Sequence, residues 1–313
     1  VADVGDPASV RALVDKGDVL VTTVGPFEQF GHPVAQAAAD AGAHYLDSTG
    51  EVGFVREVRE RHDAAAREAG ATIAPAFGYD YVPGILAGAL AARAGGAAIH
   101  SIDIGYFAIG SLRNGLSQGT RKTMAEGLIL PAAVWRDGRL VDETTARQVR
   151  EFAVRGKRKN AFLVSGTEVL FLPSEVPALQ SVTVYNGWFP PLSRTIQLVS
   201  AAANATTKLP RGRDVVNAIS ARTVGASGGP DAAERARTLS HVVAVARDDR
   251  GTPIAEVHLE GPSPYSLTGE LMAWAAERLV SGAGRTPGVV GPVEAFGLDE
   301  LVAGCKECGM VEV

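Results

Sequence analysis

Three short turns concentrate the residues that could do chemistry. They are Val24-Gly25-Pro26-Phe27, Asp47-Ser48-Thr49-Gly50-Glu51 and Phe77-Gly78-Tyr79-Asp80-Tyr81-Val82-Pro83. Each sets glycine beside hydroxyl, carboxylate or aromatic groups. Gly25 and Gly78 lack a Cβ, so the backbone there can come close to a flat ligand. Pro26 fixes the direction in which the chain leaves the first turn, and nearby helix amino ends favour anionic groups. A neighbouring carboxylate and phenol, Asp80 and Tyr79, suit proton relay or substrate orientation. Two plainer readings stand beside these. Asp80 could cap the helix that Pro83 opens, and Gly and Pro could merely punctuate strand ends. The second weakens because the pattern recurs in three successive units.

The segments between the turns must position them. Residues 19–24 read as a buried strand, and a helix at about 32–41 ends at Gly42. A short strand at 44–46 ends at Asp47. Helix 54–69 turns Phe54, Val55 and Val58 inward and stops at Gly70; strand 71–76 and a helix from Pro83 to about Ala94 follow. Continuous apolar strands alternating with helices predict an α/β fold with a parallel, doubly wound sheet. Ligands of such sheets lie at the carboxyl ends of the strands, where all three turns fall. Upstream, "VADV" reads as an opening strand, and Asp6-Pro7 starts a helix with Val10, Leu13 and Val14 at helical spacing. Residue 1 is Val and already stands inside that strand, so the sheet is expected to be truncated at its start.

Beyond Ile99 the rhythm changes. "IHSIDIGYFAIG" alternates like a half-exposed strand, and 241–261 reads as a hairpin around Asp248-Asp249-Arg250-Gly251. "EVLFLP" and "SVTVYNG" read as further strands, and 192–206 and 264–281 as helices. The expected organisation is a first domain over 1–98, an α+β domain with an antiparallel sheet over 99–262, and a helix and tail over 263–313 that return to the first. The aromatic run "YNGWFPP" (185–191) suits the core or a homodimer contact better than a lid.

Composition narrows the function classes. The 313 residues carry a net charge of −5 and are 46% hydrophobic, ample for about two domains with full cores. Mild acidity without a long basic tract argues against nucleic acid as partner. The densest basic run, Arg155-Gly156-Lys157-Arg158-Lys159, lacks interleaved aromatics and reads as a solvated loop, with an anion contact as the alternative. Two cysteines, Cys305 and Cys308, form no disulfide framework and point to a reducing, cytoplasmic setting. Their CxxC spacing has no second ligand pair nearby, so they read as incidental thiols in a terminal loop. The six histidines show no metal-protease spacing, and no G-x-S-x-G elbow appears; no metal is expected. No stretch reads as a signal peptide or a membrane span, and none is expected.

The ordered set "VGPFEQFGHPVAQAAADAGAHYLDSTGE" and, later, "FGYDYVPGILA" resembles saccharopine dehydrogenase-like oxidoreductases. The likeness runs from about Val1 to Leu86. After Ile99 it is looser, limited to strand content, Ser117-Gln118-Gly119-Thr120 before a helix, and "TPGVVG" near the end. The resemblance implies a Rossmann-like domain binding NADP or NAD and hydride transfer to a small carbonyl, imine or enoyl metabolite. It places Val24, Gly25, Pro26 and Phe27 along the cofactor ribose and nicotinamide, with Asp47, Thr49 and Gly50 lining the next loop. Phe77, Gly78, Tyr79 and Asp80 would then form the loop nearest the substrate, Phe77 and Gly78 beside the cofactor and Tyr79 and Asp80 as the catalytic pair, and Asp3, after the opening strand, would lie beside the adenine. Gln118, Thr120, Arg121 and Lys122 form either an anion-binding helix start or an ordinary cap. The family's G-x-G-x-x-G phosphate turn precedes everything visible here, and "GASGG" (225–229) does not replace it. A second reading is therefore a cofactor-deficient relative acting as a binding or assembly protein.

Overall fold

A computed structural model describes residues 2–110, 116–118, 120–121, 127, 130–207, 228–284 and 286–313. The chain forms two compact units, one of Val1–Leu86 with Tyr265–Val311, the other of Ala87–Pro264 with Glu312–Val313.

In the first unit, α1 (Pro7–Arg11) is capped by Asp6, whose side chain accepts from the Ala8 N–H. Among the described residues ahead of it no strand forms. The Asp3 C=O accepts from Asp6 N–H (2.9 Å) and its Oδ1 from Gly5 N–H (2.8 Å), so these groups close a local turn instead of a ladder. The strands β1 (Val19–Thr22), β2 (His44–Asp47) and β3 (Thr72–Ala74) pair in parallel, Val21 opposite Leu46 and Tyr45 opposite Ile73. Between them run α2 (Phe27–Ala41) and α3 (Val52–Ala69), each ended by a left-handed glycine, Gly42 (φ 72°) and Gly70 (φ 77°). The helix α2 begins well before the expected position and accommodates Pro33 within it. Its early amino end is sustained by a carboxylate from another turn, described below.

The helix α4 (Val82–Gly95) leads into the second unit. There β4 (Ser101–Ile109) is followed by two hairpins, β5 (Pro131–Arg136) with β6 (Arg139–Thr144) and β7 (Val149–Val154) with β8 (Lys157–Val164). The expected strand "EVLFLP" is instead α5 (Glu168–Glu175): a short apolar run does not distinguish a buried strand from a buried helix turn. After β9 (Ser181–Asn186), α6 (Ser193–Thr206) and α7 (Ala232–Ala236) comes the anticipated hairpin of β10 (Leu239–Arg247) and β11 (Pro253–Gly261). The sheet is mixed rather than purely antiparallel, because β4 and β9 run parallel. From β11 on, its order is β11-β10-β4-β9-β5-β6, with the β7–β8 hairpin joined to β9 through β8. Phe107, Phe152, Tyr185 and Val243 fill the core on one face. A Cβ on Gly187 would fall 2.1 Å from Phe107, so "YNGWFPP" is a close-packed core corner with Tyr185 and Trp188 buried. The basic run straddles a hairpin tip at Arg155 (φ 50°) and Gly156 (φ 71°). Arg155 donates to both oxygens of Glu260 (2.5 and 2.6 Å), and His241 Nδ1 lies 2.8 Å from the same carboxylate. Arg155, then His241, hold Glu260 down to about 2.

The chain then returns to the first unit through α8 (Pro264–Val280), β12 (Gly288–Val289), α9 (Pro292–Phe296) and α10 (Leu298–Glu307). The strand β12 lies parallel to β3 and completes the order β1-β2-β3-β12. A Cβ on Gly304 would meet Trp274 at 2.2 Å, so only glycine lets α10 seat against that ring. Cys305 and Cys308 are not in a loop: both are buried at the end of α10. Burial pushes both thiols up, Cys308 to about 11, which leaves almost no thiolate at neutral pH. Dithionitrobenzoate should therefore label neither in the native protein within minutes, and both after denaturation. No helix among the described residues is long and apolar enough to cross a membrane.

Candidate functional site

Because β1, β2 and β3 are parallel, the three turns leave the sheet on one rim. Hydrogen bonds tie them together. Asp47 Oδ1 accepts from the Thr49 N–H (2.9 Å) in its own turn and the Ala76 N–H (2.8 Å) in the third. The Asp47 C=O accepts from Phe77 N–H (2.7 Å), and the Tyr81 hydroxyl donates to the Gly50 C=O (3.0 Å). The first turn is joined to the second by Glu51, whose Oε1 accepts from Phe27 N–H and Oε2 from Glu28 N–H, both at 2.9 Å. The Glu51 N–H in turn donates to Thr49 Oγ1 (3.0 Å). Cis peptide bonds stand at Gly25-Pro26 and Asp80-Tyr81.

The stitched rim sorts the sequence candidates into two groups. Val24 and Gly25 are exposed, and Pro26, Gly50 and Asp80 are partly so. Phe27, Asp47, Thr49, Phe77, Gly78 and Tyr79 are buried. The buried set supports the tips. Phe77 stacks on Trp274 (6.5 Å) and meets Phe296 edge-on (5.6 Å). Gly78 lies where a Cβ would strike Thr268 at 2.8 Å, and Tyr79 N–H donates to Thr268 Oγ1 (3.0 Å). Asp3 is exposed in its own turn.

Two carboxyls here have unusual surroundings. Burial raises Asp47 to about 6, against the opposing pull of the Ala76 and Thr49 N–H groups. Its Oδ2 and the adjacent Tyr45 hydroxyl are both buried and fall short of hydrogen-bond geometry, yet the hydroxyl adds a smaller downward pull on Asp47. Desolvation likewise raises Asp80 to about 6. Asp80 does not cap α4: that terminus is closed by Tyr81 N–H to the Ala76 C=O (3.1 Å) and Val82 N–H to the Gly78 C=O (3.0 Å). Among the described residues its carboxylate has no hydrogen-bond or ion-pair partner, yet part of its surface is accessible.

Sequence reasoning passed over Glu51, although it stands in the Thr-Gly-Glu turn beside a helix start. It also did not anticipate Glu28, His32 and Glu57, whose ligand atoms all lie within 4.8 Å of one another. Glu57 is already paired with Arg61, and His32 Nε2 lies 3.7 Å from it. In the second unit, Ser117 Oγ accepts from Thr120 N–H (3.1 Å), the ordinary capping arrangement; Gly119 and Lys122 lie outside the described residues, as do residues 225–227 of "GASGG".

No protein-family model matches the chain. Over 83 residues, 26% of the chain, it is 39% identical to a trans-acting enoyl reductase of Mycobacterium ulcerans, 20% of whose length is covered. Over 82 residues, again 26% of the chain, it is 39% identical to an Arabidopsis thaliana protein named "Probable mitochondrial saccharopine dehydrogenase-like oxidoreductase", 18% of whose length is covered. In fold it is similar to the apo, L-Glu-forming saccharopine dehydrogenase of Saccharomyces cerevisiae, with a TM-score of 0.58 at 13% identity. Over these stretches the chain is similar to saccharopine dehydrogenase-like oxidoreductases, and its fold resembles that of the yeast enzyme. Likeness to the yeast enzyme covers 99% of this chain and 88% of that one, so the mixed second sheet is included in the shared fold. The matched stretches span about a fifth of the curated relatives' own length.

Proposed function

We propose that this saccharopine dehydrogenase-like chain passes a hydride between NADP(H) or NAD(H) and a small carbonyl, imine or enoyl metabolite. The enoyl case is the one named in its mycobacterial relative. The observation that carries the reading is Asp80: a desolvated carboxyl, without a partner among the described residues, on a rim shared by three strand-end turns. Accessible glycines at Gly25 and Gly50, where no side chain intervenes, and the exposed apolar Val24 support a flat ligand on this rim. When bound, the nicotinamide supplies the hydride. The chain's part is to hold the rim rigid through Asp47 and Glu51 and to manage a proton. In the reducing direction Asp80 gives its proton to the atom next to the carbon that accepts hydride, and is left as carboxylate. A scaffold used only for assembly has no need of such a carboxyl.

The direct test is an NADPH fluorescence titration of the full-length protein, with saturation expected at roughly micromolar concentrations. A titration that never saturates removes the cofactor from the account. With Asp80 near 6, kcat/KM for reduction should fall as pH rises through about 6, since the protonated form is the donor. Asp80→Asn should lower turnover about 100-fold or more and abolish that break while leaving NADPH affinity within about twofold.

A further inference from the structure

The amino end of α2 is the obvious place on this rim for a phosphate, and it is full. Pro26, at the cap position, provides no side-chain acceptor. Of the first four helical N–H groups, those of Gln29 and Phe30 donate to the Pro26 C=O (3.2 and 3.0 Å). The remaining two, Phe27 and Glu28, are both taken by Glu51, which reaches them from 24 and 23 residues away. An anion arriving here would find no open donor and would meet a carboxylate in its place. Glu28 adds to the effect: burial first, then repulsion from Glu57 and Glu51, raise its carboxyl.

We infer that Glu51 is a positioning residue that seals the amino end of α2 against phosphate and locks the first two turns together, reserving that part of the rim for an uncharged portion of the dinucleotide. The inference rests on the cofactor reading above for the identity of the ligand, but not for the sealing itself. It implies that the pyrophosphate is bound elsewhere, and that the nicotinamide and its ribose are the groups suited to the Val24-Gly25 tip. Glu51 itself need not touch the cofactor. It acts through the backbone of Phe27 and Glu28, and through Thr49, which Asp47 holds in turn.

The experiment titrates inorganic phosphate into the full-length protein and its Glu51→Ala variant, following the Phe27 and Glu28 amide resonances. Removing the carboxylate should create a saturable phosphate site on those two amides, with at least a tenfold gain in affinity over the parent. NADPH titrations with and without phosphate complete the design: phosphate should compete with NADPH in the variant and not in the parent. A folded Glu51→Ala protein that gains no phosphate binding overturns the inference, and so does a parent protein that binds phosphate at the same amides equally well. If the alanine variant does not fold, Glu51→Gln takes its place: its single oxygen frees one of the two amides, which should gain phosphate binding, and a folded glutamine variant that gains none at either amide overturns the inference. A gain of phosphate binding in a protein that never binds NADPH would uphold the sealing role and sink the cofactor reading, so the two failures are distinguishable. A merely structural role for Glu51 would lower stability without creating an anion site.

Discussion

Phe77→Ala is expected to lose about 3–5 kcal/mol of stability, the usual cost of emptying a fully buried aromatic site. Phe77 is 0% exposed and sits between Trp274 and Phe296 in the first unit. Its N–H also closes the bond to the Asp47 C=O that joins the second turn to the third. The two rings it touches touch each other, with centroids 5.0 Å apart, so removing one ring leaves a cavity that a stiff aromatic trio cannot collapse into. Phe77→Leu keeps most of the volume and should cost no more than about 1.5 kcal/mol. Urea unfolding followed by tryptophan fluorescence provides the measurement. The contrast matters because the family resemblance places Phe77 beside the cofactor. A side chain whose main partner were a ligand would behave oppositely: truncation would leave the apo protein within about 0.5 kcal/mol of the parent and weaken NADPH binding instead.

Much of this site could be read from the chain. The parallel sheet followed from apolar strands alternating with helices, and its rim from the position of Gly25, Asp47 and Gly78 at strand ends. Gly42 and Gly70 marked helix ends because left-handed backbone there favours glycine. What escaped was anything decided by partners far apart in sequence. The start of α2 depends on Glu51, and no local pattern around Phe27 contains that information. Whether Phe77 faces ligand or core depends on Trp274 and Phe296, nearly two hundred residues later or more. The capping reading of Asp80 was reasonable for a carboxylate just before a helix, but carbonyl groups of the third turn do that work. Some misses were avoidable. The β5–β6 hairpin turns at Asp137-Gly138, with φ of 51° and 71°, and Asp-Gly is among the strongest short-range hairpin signals. The "EVLFLP" segment was not avoidable in the same way: its Pro173 and short apolar run say nothing decisive about helix or strand.

Asp47→Asn should make the protein more stable above neutral pH, although it removes a charge from the centre of the candidate site. Asp47 is 0% exposed, and its carboxyl is raised from an ordinary 3.8 to about 6 mainly by burial. A folded value above the unfolded one means that the stabilising contribution is complete below about 3.8 and is lost as pH rises through about 6. The difference corresponds to about 3 kcal/mol at pH 8, where a carboxylate must remain ionised in a buried position. Asparagine avoids that cost. Its Oδ1 can still accept from Thr49 and Ala76, and its Nδ2 can donate toward the Tyr45 hydroxyl, where Oδ2 now finds no hydrogen bond. Against this stands the weaker acceptance of a neutral oxygen compared with an ionised one. The net expectation is a gain of about 1–2 kcal/mol at pH 8, shrinking towards zero by pH 4. Thermal unfolding of parent and variant across pH 4–8 measures it: the gap should open with rising pH and level off above about 7. A gap that does not change with pH, or a variant less stable at pH 8, would show that the two N–H groups need the charge. Asp47→Ala is the informative contrast: it strands both N–H groups and should cost about 2–4 kcal/mol at pH 4, a deficit that narrows as pH rises through about 6 and the parent itself loses stability. If the asparagine variant also binds NADPH as the parent does, then Asp47 serves the rim through the backbone it anchors, and its ionisation is a burden that the turn carries rather than a tool of the chemistry.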